Sequence, residues 1–106
     1  MYNGPRRRLP NRRDSVSFNF KCNDLHYCCT ISRFDDGRLA EIFINNAKAG
    51  SHSDAAAKDA AVVASIALQY GVPVDEIRRA LLRDPRGVAS SPLGIALDLI
   101  AESSGA

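Results

Sequence analysis

The stretch between Arg33 and Pro73 constrains the fold more than any other. It reads as a strand, a turn on Asp35-Asp36-Gly37, a strand from Leu39 to Ile44, a break at Gly50-Ser51, and an alanine-rich helix stopping at Tyr70-Gly71-Val72-Pro73. Asp36-Gly37 supplies the positive-φ residue of a tight hairpin, and a glycine just past the last turn ends a helix with no Cβ penalty. A hairpin feeding a helix is a unit whose local signals agree with one another, which favours a single fold. The same stretch carries no nucleophile beside a base and no glycine loop of phosphate-cradling spacing.

Upstream, Val16, Phe18 and Phe20 alternate with Ser17, Asn19 and Lys21, the period of a half-buried strand. Asn23-Asp24 predicts a two-residue turn into a second strand, Leu25 to Arg33, with Tyr27, Cys29 and Ile31 on one face and His26, Cys28, Thr30 and Ser32 on the other. The third strand runs from Arg38 to Asn45. Its successive Ile42, Phe43 and Ile44 predict a strand covered on both faces or placed centrally.

Ser51, Ser53 or Asp54 can cap the first helix, Asp54 to Tyr70, in which Ala56, Ala60, Val63, Ala67 and Tyr70 make the inward stripe. Pro73 starts a second helix, Val74 to Arg83, with Ile77, Leu81 and Ala80 inward and Arg78, Arg79 and Arg83 outward. After a break at Asp84-Pro85-Arg86-Gly87, Ser91-Pro92 opens a third helix, Pro92 to Glu102, striped by Leu93, Ala96, Leu97 and Ile100. Strands gathered first and helices afterwards predict an α+β fold: a three-stranded antiparallel β-meander followed by about three α-helices packed on one face.

A chain of 106 residues makes one domain, here residues 15–106 behind an arginine-rich arm at 1–14. The arm holds Arg6, Arg7, Arg8, Arg12 and Arg13 against Asp14 alone, so the net charge of +2 conceals a slightly acidic remainder. With Gly4, Pro5, Pro10 and little apolar beyond Leu9, the arm reads as flexible and extended. No apolar run is long enough to span a bilayer and no apolar segment follows the first arginines, so the expected compartment is the cytoplasm, away from membranes. Three cysteines, an odd number, disfavour a structural disulfide.

Cys22, Cys28, Cys29, His26 and His52 are the ligand types of a zinc site, but no C-x-x-C pair occurs and Cys28 faces away from Cys29, which favours packing over metal. A small zinc protein stays open as an alternative. Asp35 and Asp36 read as turn formers, and Glu41 reads most simply as an exposed edge carboxylate, the other account being a buried acid paired with Arg38 or an arm arginine. Lys48, Gly50, Ser51, His52 and Ser53 precede or open a helix, where free N–H groups and the helix dipole attract anions such as a nucleotide phosphate. The arm arginines suit nucleic acid or an acidic partner, though no aromatics are interleaved among them for base stacking.

Four stretches carry a family resemblance: Arg6-Arg7-Arg8-Leu9-Pro10-Asn11-Arg12-Arg13; Phe34-Asp35-Asp36-Gly37-Arg38 with Glu41-Ile42-Phe43-Ile44; Lys48-Ala49-Gly50-Ser51; and Ala67-Leu68-Gln69-Tyr70-Gly71-Val72-Pro73. In their order and spacing the chain resembles the TSCPD domain, the small C-terminal module of vitamin B12-dependent (adenosylcobalamin-dependent, class II) ribonucleotide reductases, found also as a separate short protein. Where that family has Thr-Ser-Cys-Pro-Asp, this chain reads Ala89-Ser90-Ser91-Pro92-Leu93, without the cysteine and the acid, so what is left is a helix start. The resemblance implies a non-catalytic accessory module acting by binding, since the reductase's barrel, redox cysteines and cobalamin pocket do not fit in this length; adenosylcobalamin belongs to the parent enzyme. The partners implied are a ribonucleotide reductase subunit, a nucleic acid or nucleotide met by the basic arm, or a second copy of the chain.

Overall fold

In the computed structural model, which describes residues 4–46, 48 and 50–103, three strands precede three helices. They are β1 (Val16–Cys22), β2 (Leu25–Arg33), β3 (Leu39–Asn46), α1 (His52–Gln69), α2 (Val74–Ala80) and α3 (Pro92–Ser103). The sheet is antiparallel in the order β1-β2-β3. The fold is therefore the expected α+β meander with its helices on one face. Residues 1–3 of the arm and 104–106 of the predicted domain lie outside the described residues, as do Ala47 and Ala49.

Local chemistry explains the turns. Asn23 and Asp24 both take positive φ, 52° and 65°, giving the two-residue turn whose twist matches its strands. Between β2 and β3 the Phe34 carbonyl accepts the Gly37 N–H at 2.9 Å and Gly37 sits at φ 92°, a turn closed by a left-handed glycine, with the register shifted at Ser32/Arg33. The core lies between the sheet and the helices, where Cys29, Ile42, Ile44 and Leu97 are all but sealed from solvent. α1 packs along β3, and α3 reaches β1.

Three expectations are corrected. β3 is an edge strand, with β2 central. Its apolar run does not mean two-sided burial, since Phe43 stands 43% exposed between Ile42 and Ile44. Second, α1 is rotated about its axis. Ala57, Ala61, Ala64, Ser65, Leu68 and Gln69 face inward, whereas Ala56, Val63 and Tyr70 are exposed and Ala60 and Ala67 half-buried.

The reason for that rotation is polar. Ser65 Oγ accepts the Ile42 N–H and donates to the Ile42 carbonyl, both at 2.9 Å, Gln69 Nε2 donates to the Ala40 carbonyl, and Asp54 Oδ1 accepts the Asn46 N–H. These are backbone groups on the edge of β3 away from β2, and α1 satisfies them with side chains, as buried backbone groups require.

Third, α2 stops at Ala80, short of Arg83, because Arg83 and Ala89 pair as a bridge around the Asp84–Gly87 turn and that bridge needs extended backbone from Leu81 onward. Ala80 is exposed. Arg78 and Arg83 are half-buried, both donating to the Asp98 carboxylate of α3, while Arg79 points out. The hydrogen bonds from Arg83, foremost, and from Arg78 hold the Asp98 carboxyl below the usual carboxylate range. A carboxyl depressed by folding contributes stability above its unfolded value near 3.8, and that contribution disappears as pH falls through the lower folded value. Asp98→Asn should therefore be less stable than the parent at pH 7, and its urea midpoint should fall less steeply below about pH 4, measured by denaturation across a pH series.

Candidate functional site

Residues 4–14 of the arm have no regular secondary structure, yet the arm's own arginines fix it to the domain. At its start the Arg7 N–H donates to the Gln69 carbonyl at 2.8 Å and Arg6 Nε donates to Gln69 Oε1 at 2.6 Å. The Arg7 guanidinium lies 4.2 Å from the centre of the buried Phe34 ring and pairs with Asp36 at 3.8 Å. Asp36 is held below the usual carboxylate range, chiefly by the Arg38 backbone N–H and side chain. At the arm's end, Arg13 Nε and Nη2 donate to the two Glu41 oxygens, each at 2.9 Å. That fork makes Glu41 a buried, paired acid, and the exposed-edge reading is withdrawn. Leu9 is half-buried.

These anchors sit on both sides of the sheet. Gln69 belongs to the helix layer, whereas Glu41 alternates with Ile42 and points to the open face. The arm thus passes around the hairpin end of the sheet and across to β1. Between it and the ends of β1 and β2 lies a cleft of about 940 Å³, lined by Arg7, Arg8, Arg12, Arg13 and Arg33 against Asp14 and Asp35. Arg7 and Arg13 are engaged with acids. Arg8 and Arg12 are exposed and, among the described residues, have no hydrogen bond or ion pair. A cleft of this kind offers cations at little ordering cost, because the segment bearing them is already placed.

The helix N-terminus differs. Ser51 is the cap, its Oγ accepting the Asp54 N–H at 3.1 Å. Asp54 folds back so that Oδ2 accepts the Gly50 N–H and pairs with Lys58, and its carboxyl is held below the usual range chiefly by the Asn46 N–H. The chain's own carboxylate therefore stands where an outside anion would dock, and it repels one. Lys48, His52 and Ser53 lie at that end, with Lys48 N–H bound to Asn46 Oδ1 and Ser51 Oγ donating to the Lys48 carbonyl.

The thiols do not come together as a reactive site. Burial pushes the Cys29 thiol up to about 12 and raises Cys22 as well. Among the described residues, no three His, Cys, Asp or Glu side chains gather to hold a metal. The Ala89–Leu93 stretch is the capped start of α3, with Ser91 Oγ accepting the Gly94 N–H. Among the described residues no helix is long and apolar enough to cross a membrane.

Comparison with known proteins gives a consistent result. The family model described as the TSCPD domain matches residues 3–102. Similar relatives are vitamin B12-dependent ribonucleotide reductases. That of Agrobacterium fabrum is 37% identical over 71 residues, covering 67% of this chain and 6% of the relative. That of Rhodopirellula baltica is 35% identical over 77 residues, covering 73% and 7%. That of Streptantibioticus cattleyicolor is 30% identical over 74 residues, covering 70% and 12%. The chain thus spans a small fraction of the length of these relatives. No solved structure matches it.

Proposed function

The chain belongs to the TSCPD domain family and is related to one module of vitamin B12-dependent ribonucleotide reductases, and from that premise we propose that it is an accessory module to such an enzyme, holding a phosphate-bearing ligand in the arm cleft. The observation that carries this reading is the division of labour among the arm arginines. Arg6, Arg7 and Arg13 fix the arm, and Arg8 and Arg12 face the cleft without partners among the described residues.

The reading gives the chain no bond-making step. The buried, proton-retaining Cys29 supports that, since the thiolate and not the thiol is the nucleophile. On this reading adenosylcobalamin belongs to the reductase and not to this chain. The module acts in the cytoplasm, beside deoxyribonucleotide synthesis.

Two measurements test it. Titration calorimetry with a nucleoside diphosphate should show binding that weakens with salt and is lost in Arg8→Ala/Arg12→Ala. Binding indifferent to salt and to both substitutions removes the cleft from the account. Adding the chain to a purified B12-dependent reductase should change its activity or yield a recoverable complex, and neither result appearing would overturn the accessory role.

A further inference from the structure

We propose that the open face of the sheet, continuous with the arm cleft, is a track for single-stranded nucleic acid on which Phe43 is the stacking platform. The proposal rests on the cleft reading above and names its ligand. In the strand register Phe43 lies directly opposite Thr30, and Thr30 opposite Ser17. Strand alternation puts these three on the face away from the helices, because Ile42 and Ile44 on either side of Phe43 are 0% and 1% exposed in the core. A phenylalanine 43% open to water on the outer face of edge strand β3 contributes little to the core, and a flat aromatic surface is what an unstacked base needs.

Its neighbours suit a nucleic-acid strand. Ser17 Oγ and Thr30 Oγ1 lie 2.8 Å apart, and the next row places Asn19, Cys28 and Asn45 side by side, so hydroxyl and amide groups flank the ring. At one end the arm crosses this face over buried Ser32, which lines the arm cleft together with Arg8 and Arg12. At the other end Lys21 pairs in register with His26, both exposed. From Ser32 to His26 along β2 is about 20 Å, a span of several nucleotides. The acid within this face, Glu41, is covered and neutralised by Arg13. Cations at both ends, an exposed ring between them and hydrogen-bonding groups beside it complement a chain of alternating phosphates and bases. A duplex, whose bases are stacked inside, leaves Phe43 unused.

Fluorescence anisotropy of the full chain with a labelled oligothymidine tests this, with the matched duplex and a free nucleoside diphosphate as competitors. Phe43→Ala should weaken single-strand binding about fivefold or more with the salt slope unchanged, and Phe43→Tyr should retain affinity. Arg8→Ala and Arg12→Ala should each lower the slope of log K against log salt by about 0.7. Arg79→Ala, on the helical side, should change nothing. Loss of binding in the arginine variants with none in Phe43→Ala overturns the track and leaves the cleft reading standing. A duplex or a free nucleotide competing as well as the single strand also overturns the track. Absence of salt-dependent binding to any of the three ligands overturns both readings.

Discussion

Asp54→Ala is expected to lower the thermal unfolding midpoint by about 10 °C, measured by circular dichroism. The carboxylate does three things in one place: it accepts the buried Asn46 N–H, accepts the Gly50 N–H, and pairs with Lys58 at 3.0 Å. Removing it leaves Asn46 N–H buried without a partner and unties the link between β3 and α1. Ser51→Ala, which removes only the cap bond to Asp54 N–H, should cost about 1 kcal/mol. The contrast is the test, because a helix cap alone predicts equal losses. Asp54→Ala no worse than Ser51→Ala would show that the link to β3 contributes nothing. Asp54→Asn should fall between them, since one amide oxygen cannot serve two N–H donors as well as a carboxylate does.

Arg13→Ala should cost about 2 kcal/mol in urea denaturation, a figure below that for a fully buried pair because the Arg13 side chain is 29% exposed. Most of that loss is the penalty of leaving the Glu41 carboxylate covered and unpaired. Arg13→Met with Glu41→Leu should accordingly recover nearly all of it, because two apolar groups need no partner. Arg13→Ala should also speed tryptic cleavage within the arm, at Arg8 and Arg12, by releasing its far anchor. An unchanged urea midpoint together with unchanged cleavage would mean that the fork at Glu41 does not hold the arm.

Punctuation was legible where a residue type has one backbone use. Asn23-Asp24, Asp36-Gly37 and Gly71 mark the two hairpins and the end of α1, and the structure has them in those roles; at the start of α1 the sequence left Ser51, Ser53 and Asp54 open as caps, and Ser51 is the one used, with the helix beginning at His52. The inward face of α1 was not legible. An alanine-rich helix offers apolar residues in more than one direction, and its orientation is decided by Ser65, Gln69 and Asp54 meeting backbone groups on β3, which no apolar periodicity records. Glu41 was misread for a related reason, its partner Arg13 being brought in by the arm and not by a neighbouring residue. Phe43 was passed over because it looks like one of three consecutive core residues; only strand alternation against Ile42 and Ile44 sets it apart. The arm carries no aromatic among its arginines, and the sheet supplies one from β3.

The coverage of β3 by α1 has a consequence for self-association. With the Ala40 carbonyl, both Ile42 groups and the Asn46 N–H taken up by helix side chains, a further strand cannot pair along the full length of β3, which leaves β1 as the more open edge among the described residues. Two copies joined there through their β1 strands would leave the helix-lined β3 at both ends of a six-stranded sheet. Fibre growth by further strand addition is thereby disfavoured.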